Sequence, residues 1–327
     1  MNPAVETQLR SKLAQRRNKL QSTIAEVGQQ KHLVDLLQEV DLALEKMTRG
    51  TYGNCETCHD SIEEDRILAD PLCRNCLDHL TEEERKSLES DLDLAYQIQS
   101  GLLPKKDLSV QGWRIAHHYT PVGPVSGDYY DLIVSSNEPG SVYFLIGDVS
   151  GKGVAASILM AHLHAIFRSL VSMKLPVNQL VAHANRLFCE GTLSTHYATL
   201  VCGRATESGQ IELCNAGHVP PLLRRSRGVK KVESTGLPVG LFMHSEYDVT
   251  RMTVEKGDTL LLYTDGLTEA QNRSGLEYGE ERLVSLLDRD GGHAPQDLLT
   301  ACLKDLSDFR STVPRMDDLT ILALRCE

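Results

Sequence analysis

Four short motifs place aspartate where an apolar run begins or ends. They are Ser126-Gly127-Asp128-Tyr129-Tyr130-Asp131, Ile146-Gly147-Asp148-Val149-Ser150-Gly151-Lys152-Gly153, Leu261-Leu262-Tyr263-Thr264-Asp265-Gly266 and Asp317-Asp318-Leu319-Thr320. Taken singly, each reads as a turn or a helix cap, where the short aspartate side chain bonds nearby amides. Taken together they describe a site. Carboxylates drawn close repel one another, and hard divalent cations such as Mg²⁺ or Mn²⁺ relieve that repulsion through oxygen ligands. Two such ions roughly 3.5–4 Å apart acidify a water and clamp an in-line phosphoryl displacement, which is phosphate-ester hydrolysis. The second motif is not a nucleotide loop: a Walker loop needs four residues between Gly and Gly-Lys, and only three separate Gly147 from Gly151. Its glycines instead allow a tight turn, so that the backbone carbonyl beside Asp148 can face a metal.

A second constellation uses sulfur. Cys55-x₂-Cys58 and Cys73-x₂-Cys76 are paired knuckles 14 residues apart, close to the spacing of a tetrahedral four-thiolate zinc site. Zinc would give a segment of about 30 residues the folding energy that its own core cannot supply. Two other metal chemistries fit part of the pattern. Cys55-x-x-Cys58-His59 also matches covalent haem attachment, which leaves the second pair unexplained, and four thiolates also suit an iron–sulfur cluster. The remaining cysteines, Cys189, Cys202, Cys214, Cys302 and Cys326, lie in apolar surroundings and read as small buried hydrophobes.

The elements that must carry these residues follow from periodicity. Residues 5–49 predict helix: Leu33, Leu37, Val40, Leu44 and Met47 keep the 4-3-4-3 step of a coiled-coil seam, and Gly28 offers a break. A helical hairpin and a dimeric coiled coil both satisfy this pattern. Thr81 followed by Glu84 is a capping box opening a helix that Pro104 stops, and this 81–102 helix is a second candidate dimer contact. Beyond residue 105 short β runs (113–119, 142–146, 260–263, 320–324) are interspersed with helical stretches near 153–171, 178–189, 280–288 and 295–309. The expected organisation is a helical segment over 1–50, a cysteine module over 51–80, a linker helix over 81–104 and an α+β domain over 105–327.

Charge narrows the partners. The net charge of −11 is concentrated in residues 51–100, where 4 Lys/Arg face 13 Asp/Glu. A module that neutralises nucleic-acid phosphates needs clustered cations, so this acidity argues against direct nucleic-acid binding. The N-terminus has no signal-peptide pattern and no run approaches 18 consecutive apolar residues, so the expected location is the cytoplasm, with no membrane partner.

Residues 49–80 resemble the DksA/TraR zinc finger, sharing Tyr52-Gly53, Ile62, Arg66 and Ala69-Asp70-Pro71 besides the cysteines. The resemblance implies one structural zinc on Cys55, Cys58, Cys73 and Cys76. In that family a coiled coil ahead of the finger can enter an RNA polymerase channel with acidic residues at its tip. Here the tip near Gly28 offers Glu26, and a zinc-stabilised connector or dimerisation element is the preferred reading.

From about Leu94 to Arg325 the chain resembles the PPM metal-dependent phosphatases, specifically the SpoIIE/RsbU branch. The match takes in Gln97-Ile98-Gln99, Leu102-Leu103-Pro104, the four aspartate motifs, Asn215-Ala216-Gly217-His218, Leu237-Pro238-Val239-Gly240, Gly257-Asp258 and Glu269. It implies an α-β-β-α sandwich holding two Mn²⁺ or Mg²⁺ ions. Asp148 is expected to bridge both ions and Val149 to lend its carbonyl. Asp265 and Asp317 are expected on one ion and Asp128 on the other, directly or through water. Asp318 is the secondary candidate in the last motif, and Asp131 reads as supporting structure. The implied substrate is a phosphoserine or phosphothreonine regulator, such as a STAS-type anti-sigma-factor antagonist in partner switching. Ser150 stands where better-known eukaryotic members place a histidine general acid. Of His117, His118, His196 and His218, each reading first as a buried bonded histidine, His218 is the one to test.

Overall fold

The computed structural model describes residues 3–104, 110–134, 140–193, 195–289 and 294–327. It divides into two compact units, Met1–Asp91 and Leu92–Glu327.

In the first unit, α1 (Pro3–Val27) and α2 (Lys31–Arg49) form a hairpin. Gly28 turns the chain with φ of 87°, a left-handed conformation that costs glycine little. Gly50 then ends α2 at φ of 71°, its amide bonded back to the carbonyls of Lys46 and Met47. The C-terminal part of the expected stripe is used within the chain: Val40 and Met47 are buried with Leu9 and Leu13 of α1 and with Cys55, Ile62 and Ile67 of the cysteine module, while Leu44 packs at the edge. Leu33 and Leu37 are only partly buried. Hairpin and module therefore share one core. The module adds α3 (Glu64–Ala69) and a 3₁₀ turn (Leu77–His79). Thr81 and Glu84 close the capping box at α4 (Glu82–Leu102), the Thr81 amide donating to Glu84 at 2.8 Å and the Glu84 amide to Thr81 Oγ1 at 3.2 Å.

The second unit, among the described residues, contains β1 (Trp113–Thr120), β2 (Asp128–Val134), β3 (Ser141–Val149), β4 (Ala198–Thr206), β5 (Gln210–Ala216), β6 (Leu222–Arg225), β7 (Gly228–Lys231), β8 (Thr250–Thr253), β9 (Thr259–Tyr263) and β10 (Leu319–Cys326). They form two five-stranded sheets, β1-β10-β9-β6-β7 and β2-β3-β4-β5-β8. Phe144, Ile146 and Val201 of one sheet meet Leu260, Leu262 and Leu322 of the other in a core between them. The outer face of the second sheet is covered by α5 (Gly153–Val171) and α6 (Val177–Gly191). The first sheet is covered by α8 (Glu280–Arg289) and α9 (Pro295–Arg310), with the short α7 (Asp265–Thr268) beside them. This is the α-β-β-α sandwich that the sequence resemblance implies.

Burial on both faces explains the texture of the sequence. In β3, Tyr143 and Leu145 face the helices, and Val142, Phe144 and Ile146 face the opposite sheet. A strand covered on both sides reads as a continuous apolar run rather than an alternation. The same burial accounts for α5, whose 19 residues are apolar enough to cross a membrane by length and composition, yet put Met160, Leu163, Phe167 and Leu170 into the core against the sheet.

Candidate functional site

One end of the sandwich gathers the four aspartate motifs. Asp128 opens β2 and Asp148 lies next to the end of β3, and the two are register partners across the antiparallel ladder. Asp265 begins α7 directly after β9, and Asp317 and Asp318 precede β10. Each sheet thus contributes aspartates at strand ends, where the backbone leaves the ladder and side chains gain room.

The electrostatics are those of carboxylates crowded together, with Lys152 as a partial counter-charge. Burial, then the charges of Asp265, Asp317 and Asp318, push Asp148 up to about 7. Asp265 is raised by burial and by Asp317. Asp128 is raised well above the usual carboxylate range, mainly by burial and then by Asp148 and Asp318, against hydroxyl hydrogen bonds that lower it. Those bonds come from residues of the opposite sheet: Thr264 Oγ1 donates to Asp128 Oδ2 at 2.9 Å and Thr320 Oγ1 at 2.5 Å. Both threonines lie inside the sequence motifs, but only the paired sheets reveal their shared acceptor.

The loops are held as tightly as the strands. Gln99 of α4 grips Ser126 from both sides, donating from Nε2 to its carbonyl at 2.7 Å and accepting its amide at 3.0 Å. Asp318 accepts the amides of Val122 at 2.7 Å and Gly127 at 3.2 Å, so its carboxylate fastens the loop ahead of Asp128. Asp317 accepts the Asp318 amide on Oδ1 and the Lys152 ammonium, at 2.8 Å, on Oδ2. A Cβ on Gly266 would fall 1.9 Å from the Asp318 carbonyl oxygen, so the third and fourth motifs can meet only over a glycine. A Cβ on Gly127 would meet the Val149 carbonyl at 3.1 Å and Asp148 Oδ1 at 3.4 Å, putting that carbonyl on the carboxylate side of the turn.

The supporting residues separate by strand parity. Asp131 points to the helical face of β2, where Arg168 of α5 donates to it twice at 2.7 Å. This is a structural ion pair, with Asp131 buried and Arg168 exposed. Ser150 accepts the Tyr197 amide at 3.0 Å, closing the end of the β3–β4 ladder. His218 is buried, its Nδ1 2.8 Å from Thr199 Oγ1 and its Nε2 3.1 Å from the Tyr263 carbonyl. Because that carbonyl only accepts, Nε2 carries the proton. Burial lowers His218 to about 4, so it is neutral at physiological pH. His118 Nε2 pairs with Thr120 Oγ1 at 2.7 Å and His196 Nδ1 with Thr195 Oγ1 at 3.2 Å, while the His117 ring lies 5.1 Å from that of Tyr130, tilted by 39°.

Beside Asp317 opens a cavity of about 320 Å³ bounded by Lys152, Glu269, Arg310, Arg315, Met316 and Asp317. Arg315 donates to the carbonyls of Thr120 and Pro121 at 3.1 and 3.5 Å, and Arg310 to that of Val313 at 2.5 Å. Arg310 is lowered by burial and by the neighbouring Arg315 charge.

In the first unit, Cys55, Cys58, Cys76 and His79 bring one donor atom each within 4.8 Å of one another, the one such group among the described residues. Three of the four expected thiols therefore converge, and His79 joins them. The Cys73 thiol instead donates to the Asn75 carbonyl at 3.2 Å.

Comparison with known proteins identifies relatives of both units. Residues 138–327 match the family model described as stage II sporulation protein E (SpoIIE). Residues 50–78 match the prokaryotic dksA/traR C4-type zinc finger. Protein IcfG of Synechocystis sp. is 27% identical over 263 residues, 72% of this chain, which spans 41% of the length of IcfG. Phosphoserine phosphatase RsbU of Bacillus subtilis is 24% identical over 247 residues, covering 74% of this chain and 71% of RsbU. Among solved structures, the SiaA-PP2C domain of Pseudomonas aeruginosa aligns over 76% of this chain and all of that domain, with a TM-score of 0.66 at 18% identity.

Proposed function

The chain belongs to the SpoIIE family, and from that premise we propose that it is a divalent-cation-dependent protein phosphatase hydrolysing phosphoserine or phosphothreonine. The observation that carries the reading is the meeting of Asp128, Asp148, Asp265 and Asp317 from both sheets, with three of them, Asp128, Asp148 and Asp265, pushed toward protonation by burial and by one another's charge. Such a donor set favours hard cations, since oxygen ligands that repel in isolation are stabilised by added positive charge. Four carboxylates are more than one hard cation needs to balance its charge, so the set suits two ions better than one.

The roles follow from what each side chain already does. Asp148, central to the mutual repulsion, is assigned as the bridging ligand, with the Val149 carbonyl beside it. Asp265 and Asp317 are assigned to one ion. Asp128 has one oxygen held by two threonine hydroxyls, leaving the other to reach the second ion directly or through water. Asp318 spends both oxygens on the amides of the loop ahead of Asp128, whereas Asp317 holds its neighbour's amide and an exposed lysine that an ion can displace, which favours Asp317 as the ligand of that motif. When bound, Mn²⁺ or Mg²⁺ would lower the pKa of water and draw charge from a phosphoryl group under in-line attack. His218 holds its proton toward a backbone carbonyl and at about 4 is too acidic an imidazolium to be present in quantity, so leaving-group protonation is assigned to solvent.

The cavity beside Asp317 supplies the other half of a substrate site. Lys152, Arg310 and Arg315 border it, and guanidinium pairs of this kind suit a phosphate or an acidic flanking residue. The substrate is assigned as a phosphoprotein, in keeping with the phosphoserine phosphatase RsbU among the relatives; a phosphorylated STAS-type anti-sigma-factor antagonist in a partner-switching pathway is the specific candidate. For the first unit, Glu26 is the one acidic residue between Ile24 and His32 at the hairpin tip, which favours a structural or docking element, including a homodimer contact, over an RNA polymerase channel.

Phosphate release from a serine phosphopeptide by the full-length protein, titrated with Mn²⁺ and Mg²⁺, tests the activity. The proposal is lost if no phosphate is released, or if Asp148→Ala and Asp265→Ala release it as fast as the parent.

A further inference from the structure

We propose that the ion of the cysteine module is held by three thiolates and one imidazole, from Cys55, Cys58, Cys76 and His79, and that Cys73 is not a ligand. The inference rests on reading residues 50–79 as a metal-holding finger, and departs from the four-cysteine set that the finger resemblance implies.

Three observations carry it. The first is distance. Thiolates bound at about 2.3 Å to one tetrahedral ion stand about 3.8 Å apart. Cys58 Sγ and Cys76 Sγ are 3.8 Å apart, and His79 Nδ1 is 3.2 Å from Cys76 Sγ. All four donor atoms fall within 4.8 Å of one another. The donors are thus already gathered to the dimensions of a tetrahedral site.

The second is local geometry. Cys76-Leu77-Asp78-His79 repeats the two-residue spacing of Cys55-Glu56-Thr57-Cys58. Residues 77–79 form a single 3₁₀ turn in which the His79 amide donates to the Cys76 carbonyl at 3.0 Å. That turn brings the ring back over the Cys76 sulfur. On the first knuckle the closing bond spans one residue more, from the His59 amide to the Cys55 carbonyl at 3.0 Å. Cys73 has a different place: its thiol bonds the Asn75 carbonyl, and the residue lines a groove with Glu39, Lys46 and Tyr52 against α2.

The third is chain length. Fourteen residues separate Cys58 from Cys73, short of the about 15–20 usual between the two halves of such sites, whereas 17 residues, 59–75, separate Cys58 from Cys76. With the loop this short, the second half of the site shifts along the chain by one knuckle. The family match to the C4-type finger stops at residue 78, one short of His79.

Zinc-edge X-ray absorption on the full-length protein, with Mg²⁺ in excess to keep zinc from the carboxylates, counts the ligands directly. The expected shell is three sulfurs and one nitrogen. Competition with a chromophoric chelator should find that Cys73→Ser keeps one tightly held zinc per chain, while His79→Ala binds it at least about tenfold more weakly. His79→Cys should restore binding with a four-sulfur shell, which separates loss of a ligand from loss of fold. A four-sulfur shell in the parent protein overturns the proposal, as does loss of zinc from Cys73→Ser with retention in His79→Ala. A parent protein that binds no zinc at all overturns the finger reading on which it rests.

Discussion

Asp128 and Asp148 stand directly opposite each other on adjacent strands, register partners in the β2–β3 ladder. Like charges placed across a strand pair are destabilising; here Asp128 is raised by burial and then by the Asp148 charge, while burial and then Asp265, Asp317 and Asp318 push Asp148 up to about 7. The fold therefore carries a strain that a bound cation would remove, and the site links metal affinity, pH and stability.

The folded value of Asp148 lies above the ordinary 3.8, so the stability of metal-free protein is greatest below pH 4 as far as this group is concerned, and is lost as pH rises through about 7. In chelator-treated protein, Asp148→Asn should flatten that slope and raise the melting temperature at pH 8. With Mn²⁺ present the same variant should lose at least about a hundredfold in kcat/KM, the scale of removing a directly acting polar group. Denaturant melts at several pH values with and without metal check both halves; a variant less stable than the parent without metal would refute the strain.

Asp317 and Asp318 are neighbours with separable duties. Asp318→Ala leaves the amides of Val122 and Gly127 without their acceptor and should cost about 1–3 kcal/mol of stability. Asp317→Ala gives up an exposed ion pair with Lys152, which contributes little, and should instead weaken Mn²⁺ binding. Calorimetric melting and Mn²⁺ titration on the two variants should give opposite rankings.

Much of this arrangement could be read before the fold was known. Thr81 with Glu84, Gly28 and the four aspartate motifs each announce themselves through local chemistry, because caps, turns and strand ends depend on residues close in sequence. Strand β2 did not stand out as one, since it alternates between a helix-covered face and the inter-sheet core and so carries polar and aromatic residues on both sides. The division of labour between Asp317 and Asp318, and the hydroxyls of Thr264 and Thr320 on Asp128, depend on contacts across more than 50 residues of sequence. His79 escaped because four cysteines already completed a familiar pattern, and only the folded turn turns Cys73 away.

His218 offers a test of the opposite sign. Burial lowers its folded value to about 4 from an ordinary 6.5. The neutral ring is the folded form, so this contribution is complete above pH 6.5 and is lost as pH falls toward 4, amounting to about 3 kcal/mol. Measured with metal bound, so that Asp148 is silent, His218→Gln should remove much of the stability loss between pH 6.5 and 4. It should leave the pH dependence of kcat unchanged. A limb of the rate profile that vanished in the variant would instead make His218 a proton donor to the reaction.

The cations around the cavity beside Asp317 should matter to a protein substrate more than to a small one. Arg310 and Arg315 face a common space without a carboxylate within ion-pair distance among the described residues, and burial, then the Arg315 charge, lowers Arg310. An anionic group entering the cavity would relieve it. Arg310→Ala should therefore raise KM for an acidic serine phosphopeptide by about tenfold, equivalent to 1.4 kcal/mol. A small aryl phosphate that reaches only the carboxylates should be hydrolysed with kcat/KM changed by less than about twofold, because it gains no binding from the guanidinium in either the ground or the transition state. Equal losses on both substrates would place Arg310 at the reacting phosphate itself, and no loss on either would leave the cavity without a part in substrate recognition.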